Sequence, residues 1–122
     1  MEYIFIVAFN DQNEKTTESD QDDFQKRINQ LIHKNLDNNR FNIKQFCKAI
    51  GMSATQLRRK INALTGQSPN RFIRSQRLKE AARLIREEQQ NVSEAAYQVG
   101  FNSLSYFSKC FREEFGKLPS EY

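Results

Sequence analysis

The sequence predicts an all-α domain in which a helix, a tight turn and a second helix occur twice, with one long helix between the two repeats. Three observations support this prediction. Apolar residues recur at three- and four-residue spacings from Phe24 to Phe115, which is the period of an α-helix. Gly51 and Gly100 interrupt this period at matching places, and glycine suits a sharp corner because it adopts positive φ without a Cβ clash. A serine follows each glycine as a candidate N-cap for the next helix.

Residues 1–23 differ from the rest of the chain in composition. The stretch from Met1 to Phe9 is aromatic and β-branched and predicts a strand or a hydrophobic terminal patch, whereas residues 10–23 are polar and acidic, which is typical of a linker. Two interpretations stand side by side: the remnant of a preceding domain, or a tail that pairs with a neighbouring molecule. We expect residues 1–23 to form a tail or linker and residues 24–122 to form the domain.

The first helix is predicted to begin at Phe24, where the helical period starts. It ends before the Asp-Asn-Asn turn signal at residues 37–39. His33 lies beside the apolar stripe and is expected to be a partly exposed structural residue. The stripe consists of Phe24, Ile28, Leu31, Ile32 and Leu36.

The first repeat, at about residues 42–66, is predicted to be a helix-turn-helix. Its first helix contains Phe46 and Cys47 and stops at Gly51, and Ser53 is the N-cap of a second helix that Gly66 ends. The second helix has a buried face formed by Leu57, Ile61 and Leu64. Its opposite face shows Thr55, Gln56, Arg58, Arg59 and Asn62.

A long linker helix is predicted at about residues 69–88, with Pro69 near its first turn, where proline is favoured. From Gln56 to Arg86 the sequence has a single acidic residue, Glu80, and nine basic residues. The basic residues are Arg58, Arg59, Lys60, Arg71, Arg74, Arg77, Lys79, Arg83 and Arg86. We expect this segment to attract a polyanion. Alternatively, Arg77 and Glu80 pair within the helix or brace the two halves, and residues 58–60 are only a solvated helix face.

The second repeat, at about residues 92–116, is also predicted to be a helix-turn-helix. Ser103 is its candidate N-cap. Tyr106 either contacts a groove or covers the core. The helix after Ser103 is expected to present Ser105, Tyr106, Ser108 and Lys109 outward, and to bury the periodic phenylalanines Phe101, Phe107, Phe111 and Phe115.

Composition excludes several classes of protein. The chain has 122 residues, of which 38% are apolar and 28% charged, as in a soluble globular domain. Its densest apolar run is too short to cross a bilayer, so we expect no membrane contact by this segment and a cytoplasmic location. Cys47 and Cys110 lack metal-ligand spacing and are interpreted as small buried apolar groups, with redox sensing as the alternative. We expect no metal and no cofactor.

The charge of the chain is unevenly distributed. Residues 1–23 hold seven acidic side chains and Lys15, so that residues 24–122 hold 18 basic and 8 acidic side chains. A basic body of this size favours a polyanion such as nucleic acid as the partner. A linker helix of about 18 residues spans roughly 27 Å. Successive major-groove faces lie about 34 Å apart, so two helices on such a spacer can enter adjacent major grooves of one duplex.

The motifs of both repeats resemble the AraC/XylS-type DNA-binding domain. Those of the first half are Gly51-Met-Ser53, Leu57-Arg-Arg-Lys60, Leu64-Thr-Gly66 with Pro69, Phe72-Ile-Arg74, Arg77-Leu78 and Ala81-Ala82. Those of the second half are Gly100-Phe101, Ser105-Tyr-Phe107-Ser-Lys109, Phe115-Gly116 and Pro119-Ser120-Glu-Tyr122. The chain looks most similar to versions found at the C-termini of bacterial hybrid two-component regulators.

This resemblance implies a homeodomain-like fold of seven helices in two helix-turn-helix subdomains. It also implies a double-stranded DNA partner, activation of transcription with RNA polymerase, and dimerisation through an N-terminal domain outside these residues. By family position, the residues expected to contact bases are Thr55, Arg58, Arg59, Ser105, Tyr106, Ser108 and Lys109. Those expected to contact phosphates are Ser53, Lys60, Arg74, Ser103, Arg112 and Lys117.

Two other classes of function compete with DNA binding. A helical interaction module would bind a protein through the same surfaces without reading sequence. An enzyme is the weaker rival, because His33 is the only histidine and neither a glycine-rich phosphate loop nor a convergent carboxylate pair is present. We therefore expect no catalytic residue.

Overall fold

The computed structural model describes residues 18–122, and the strand or terminal patch expected at residues 1–9 lies outside this range. Over the described range the secondary structure is helical throughout, which confirms the predicted fold class. The seventh helix implied by the resemblance is a single 3₁₀ turn rather than an α-helix. In chain order the elements are α1 (Glu18–Lys34), α2 (Ile43–Ile50), α3 (Ala54–Thr65), α4 (Pro69–Glu87), α5 (Val92–Gln98), α6 (Leu104–Phe115) and the 3₁₀ helix (Pro119–Glu121).

Helix α1 begins six residues earlier than the predicted start at Phe24. Residues 18–23, interpreted above as part of a linker, therefore belong to the helix. The prediction was wrong there because this segment contains no apolar residue, so its turns give no periodic signal. The apolar stripe itself lies where it was expected, since Phe24, Ile28 and Ile32 are buried.

The described residues divide into two compact units, and the division falls within α4. Unit 1 comprises residues 18–34 and 41–73. Ile28, Phe46, Leu57 and Ile61 form its fully buried centre. The Arg27 guanidinium donates a hydrogen bond of 3.0 Å to the carbonyl of Ile50, at the C-terminus of α2.

Unit 2 comprises residues 35–40 and 74–122. An aromatic row fills its core: the ring centroids of Phe101 and Phe107 lie 5.1 Å apart, and those of Phe107 and Phe111 lie 5.6 Å apart. These three phenylalanines are buried as predicted, whereas Phe115 is half-buried at the edge of the core, 5.5 Å from the ring of Tyr122. Small residues of α4 and α5 complete the core: Ala81, Ala82, Ala95 and Ala96.

The turn between α5 and α6 depends on Gly100. Its φ of 90° lies in the region that L side chains rarely adopt. A Cβ added there would collide with the guanidinium of Arg77 and would lie 2.9 Å from the carbonyl oxygen of Leu36. Glycine is therefore required at this position for space as well as for backbone conformation.

Among residues 18–122, no helix combines the length and the apolar character that crossing a membrane requires.

Candidate nucleic-acid interface

Helix α3 has one buried and one exposed face. Leu57, Ile61 and Leu64 point into unit 1 and are buried. The exposed face carries the four residues of this helix that are expected to contact DNA: Thr55, Arg58, Arg59 and Lys60. We call these four residues the α3 surface. The Nζ atom of Lys60 lies 5.1 Å from the ring centroid of Phe24, so its cation also packs against the edge of unit 1.

The start of α3 is fixed by a capping box. The Ser53 hydroxyl oxygen accepts a hydrogen bond of 3.2 Å from the backbone N–H of Gln56, and the Gln56 side-chain oxygen accepts one of 3.1 Å from the N–H of Ser53. The Ser53 hydroxyl also donates to this side-chain oxygen at 3.3 Å. A phosphate bound by Ser53 would therefore have to displace the Gln56 side chain.

Helix α6 repeats this arrangement in unit 2. It buries Phe107, Cys110 and Phe111. The other side of the helix carries Ser105, Tyr106, Lys109 and Arg112, which are exposed, and Ser108, which is half-buried; we call these five residues the α6 surface.

The cap of α6 differs from that of α3. The Ser103 hydroxyl oxygen accepts a hydrogen bond of 3.2 Å from the backbone N–H of Tyr106. Tyr106 holds the place that Gln56 holds in α3, and a phenol at this place does not return a bond to the N-cap. The N-terminus of α6 is therefore the better suited of the two to an anion. Unlike the backbone N–H of Ser53, that of Ser103 is not hydrogen-bonded to the side chain three residues later.

Tyr106 contacts the core and is also half exposed. Its ring centroid lies 6.0 Å from that of Phe101, and 49% of its surface remains accessible. Its hydroxyl oxygen accepts a hydrogen bond of 3.4 Å from Nη1 of Arg74. The two interpretations of Tyr106, groove contact and lid over the core, are thus compatible: one side of the ring packs while the rest faces outward.

Besides Arg74, three of the six basic residues of α4 interact with other residues of unit 2. Arg77 is buried, and its guanidinium donates hydrogen bonds to the carbonyls of Asn38, at 2.7 Å, and Val99, at 3.3 Å. Burial lowers the pKa of Arg77 below its ordinary value, and the charge of Asp37 opposes this shift.

Arg83 and Arg86 are engaged at the other end of α4. The guanidinium of Arg83 lies 2.7 Å from a carboxylate oxygen of Glu80 and 2.8 Å from one of Glu88. The hydrogen bond that Arg83 donates to Glu80 is the main reason that the pKa of Arg83 is raised. The guanidinium of Arg86 stacks over the ring of Tyr122 at 4.4 Å. Of the alternatives left open for Arg77 and Glu80, pairing within the helix is realised between Glu80 and Arg83. Of the other basic residues of α4, Arg71 and Lys79 are exposed, and Arg74 is half-buried with its hydrogen bond to Tyr106.

The remaining expected phosphate contacts lie in unit 2. Arg112 is exposed in the last turn of α6. Lys117 is exposed beyond that helix, with its Nζ atom 5.9 Å from the ring centroid of Tyr122. Both side chains present cations at the surface of unit 2.

Sequence reasoning did not identify several polar residues that fix the helices and turns of the two units. Asn42 caps α2 through a box with Gln45, and the spacing of these two residues is a signature that could have been recognised. Asn91 caps α5. The hydrogen bond between the side chains of Asn39 and Asn102 gave no signal, because its partners are 63 residues apart in the chain.

No group of three or more His, Cys, Asp or Glu within residues 18–122 is arranged to hold a metal ion. Cys110 is buried as predicted, whereas Cys47 is only half-buried. Neither cysteine lies on the α3 surface or the α6 surface.

Two helices that begin at serine caps, bury an apolar face and present polar and basic residues outward define a helix-turn-helix DNA-binding domain. The family model described as a helix-turn-helix domain matches residues 46–122. The chain belongs to the AraC-type family of helix-turn-helix DNA-binding domains.

Two relatives illustrate the range of proteins in which this domain occurs. The chain is 34% identical over 99 residues to the HTH-type transcriptional regulator MtrA of Neisseria gonorrhoeae, covering 80% of this chain and 33% of MtrA. It is 40% identical over 110 residues to Histidine kinase P4 of Formosa agariphila, covering 90% of this chain and 8% of that protein. The chain thus spans a third or less of the length of these relatives.

Solved structures show the same fold. The DNA-binding domain of AdpA, in complex with a target DNA, matches with a TM-score of 0.72 and 26% identity, covering 80% of this chain and 86% of that one. The C-terminal domain of AraT, a response regulator from Geobacillus stearothermophilus, matches with a TM-score of 0.70 and 26% identity. The match covers 76% of this chain and 77% of the AraT domain.

Proposed function

We propose that this chain is the sequence-specific, double-stranded DNA-binding domain of a bacterial transcription regulator that acts as an activator. The observation that carries the proposal is the pair of exposed surfaces on α3 and α6, each directly after a serine-capped helix start. The names of related proteins support the role, since one is a transcriptional regulator and others are the transcriptional activators RhaR and RhaS.

Base reading is assigned to the two surfaces. Arg58 and Arg59 suit guanine, because the O6 and N7 atoms of that base accept two hydrogen bonds from one guanidinium. The remaining proposed base contacts offer single hydrogen bonds, a methyl group or a flexible cation: Thr55, Ser105, Tyr106, Ser108 and Lys109.

Phosphate binding is assigned to cations at the edges of these surfaces and to the helix N-termini. Lys60, Arg74, Arg112 and Lys117 supply the charge. Ser103 is favoured over Ser53 at the helix starts, because both donors of Ser53 point to the Gln56 side chain. Phosphate contacts of this kind set the register of a protein on the duplex without reading its sequence.

We further propose that α3 and α6 enter successive major grooves of one duplex. The two helices belong to one chain and are connected through α4, whose 19 residues correspond to about 28 Å. Successive major-groove faces on one side of B-DNA are about 34 Å apart. One chain can then read two short blocks of sequence without a dimer.

The proposal also includes a longer regulator of which this chain is the DNA-binding part. Relatives such as MtrA are about three times as long as the matched segment, so a sensing or dimerising domain in the same polypeptide is part of the hypothesis. RNA polymerase is the proposed protein partner, and the cytoplasm the proposed location. We assign this segment no catalytic activity.

A helical protein-interaction module is the alternative. The chemistry of the α3 surface and the α6 surface favours DNA as the partner. Their residues are hydrogen-bond donors and cations rather than a contiguous apolar patch. Salt-insensitive binding of an acidic protein, without enrichment of any duplex, would favour the alternative.

Selection from a random duplex pool at moderate salt tests the proposal. Two enriched blocks about ten base pairs apart would support bipartite reading by one chain. One enriched block would contradict the placement of both helices in grooves and would leave one helix to bind phosphate only. Absence of any enrichment would contradict sequence-specific binding by this chain.

A further inference from the structure

Tyr106 is held at three points although half of its surface is exposed. Its backbone N–H donates to the Ser103 hydroxyl at 3.2 Å, its ring lies 6.0 Å from that of Phe101, and its hydroxyl oxygen accepts from Arg74 at 3.4 Å. A side chain fixed at its base, ring and tip loses little conformational freedom on binding. Tyr106 is therefore preorganised for a directed contact.

The direction of the hydrogen bond from Arg74 determines what the Tyr106 hydroxyl offers. A guanidinium has donors and no acceptor, so Arg74 donates and the phenolic oxygen accepts. The O–H bond is then directed away from Arg74. The positive charge beside the oxygen also disfavours a second donor, so that Tyr106 acts toward a ligand as a hydrogen-bond donor.

Bases differ in how they match such a donor. In the major groove, guanine presents the acceptors O6 and N7, thymine presents the acceptor O4, and adenine presents the acceptor N7 beside its N6 amino donor. Cytosine presents the N4 amino group, which is a donor. A directed O–H is therefore matched by three bases and mismatched by cytosine.

On the basis of the proposed function, we propose that Tyr106 rejects cytosine at one position of the binding site, and that Arg74 is the positioning residue that sets its hydroxyl as the donor. Arg74 then influences base preference through Tyr106, in addition to its proposed phosphate contact. The hydrogen bond between Arg74 and Tyr106 thus connects a proposed phosphate contact with a proposed base contact.

The test starts from the duplex that the full chain enriches, together with every single-base variant of that duplex. The unmodified chain should bind the variant with cytosine at one position about two- to tenfold more weakly than the other three, the range of one hydrogen bond. Tyr106→Phe keeps the ring against Phe101 and removes only the hydroxyl. It should abolish that discrimination and leave preferences at other positions unchanged.

A second pair of variants tests the role of Arg74. Arg74→Met removes all donors at similar side-chain length and should abolish the same cytosine discrimination, with no further loss of discrimination in the double variant with Tyr106→Phe. Arg71→Met removes the same charge from the same helix and is the matched control. It should leave the discrimination intact, and any loss of affinity that it causes should be the same for all duplexes.

The outcomes separate this inference from the proposed function. Unchanged base preferences in Tyr106→Phe, or a uniform loss of affinity as for a phosphate contact, would overturn the role of Tyr106 while sequence-specific binding stands. Full cytosine discrimination in Arg74→Met would overturn the positioning role. Failure of the unmodified chain to enrich any duplex would instead remove the proposed function.

Discussion

At the scale of single residues, the basic side chains of α4 show why charge counted along a sequence overestimates the charge offered to a ligand. Arg77 has the sequence context of a surface residue, yet it is 8% exposed. A buried cation needs hydrogen-bond acceptors, and those of Arg77 are carbonyls 39 and 22 residues away in the chain. No local pattern can indicate such partners, whereas the exposure of Arg58 and Arg59 follows directly from the helical period.

The first prediction separates base reading from phosphate binding on α3. Arg59→Ala should weaken binding to the selected duplex by about 1–3 kcal/mol and relax the preference at one guanine. Lys60→Ala should weaken binding to all duplexes alike and reduce the slope of log K against log salt by about 0.9. Titrations of specific and random duplexes at several salt concentrations measure both effects. Equal losses on both duplexes for the two variants would contradict the assignment.

At the scale of elements, helix starts were predictable where a serine precedes a periodic segment. Ser53 and Ser103 both accept the capping hydrogen bond as expected. The start of α1 was not predictable, because its first turns contain no apolar residue. Periodicity therefore identifies the helices, and capping chemistry identifies their ends only when the cap lies beside the apolar pattern.

The second prediction concerns these caps. Ser53→Ala and Ser103→Ala should each lower the free energy of unfolding by about 1 kcal/mol, because a backbone N–H of the first turn loses its acceptor. Urea denaturation followed by circular dichroism measures the change. Ser120→Ala, at an exposed position outside these caps, is the control and should have little effect. A negligible loss in both cap variants would show that water replaces the hydroxyl without cost.

The third prediction concerns the turn before α6. Gly100→Ala should lower the free energy of unfolding by about 2–4 kcal/mol, since strained backbone and a steric collision add. Gly116→Ala is a matched control: its φ of 78° is similar, but an added Cβ meets no atom within 4 Å. This variant should lower the free energy of unfolding by about 1 kcal/mol, the cost of the left-handed backbone conformation without a steric collision. The same urea denaturation applies, and equal losses in the two variants would contradict the steric argument.

At the scale of the whole molecule, each unit has its own buried core. The pattern of two similar repeats was evident in the sequence, because Gly51 and Gly100 mark the same place in each. The assignment of residues 35–40 to the unit that contains α6 was not evident. That segment follows α1 directly, and it belongs to unit 2 through long-range contacts such as the one between Asn39 and Asn102.

The fourth prediction concerns the salt dependence of the whole chain. Four cations are assigned to phosphates, namely Lys60, Arg74, Arg112 and Lys117, so the slope of log K against log salt should be about −4. Fluorescence anisotropy on a random duplex measures this slope. A slope of about −6 would show that Arg77, Arg83 and Arg86 also reach the DNA, contrary to their contacts in unit 2.

The packing of Arg77 against Gly100 has a consequence for how this sequence can change. The guanidinium of one residue fills the space that a side chain at the other would need, so the two positions are not free to vary independently. Shortening Arg77 would remove the guanidinium from the space beside position 100, but the Leu36 carbonyl oxygen at 2.9 Å and the φ of 90° would still disfavour a side chain there. Shortening Arg77 would also remove the donors of the Asn38 and Val99 carbonyls. Both orders of substitution pass through a less stable intermediate. We expect this pair to show strong epistasis in any library that varies the two positions together.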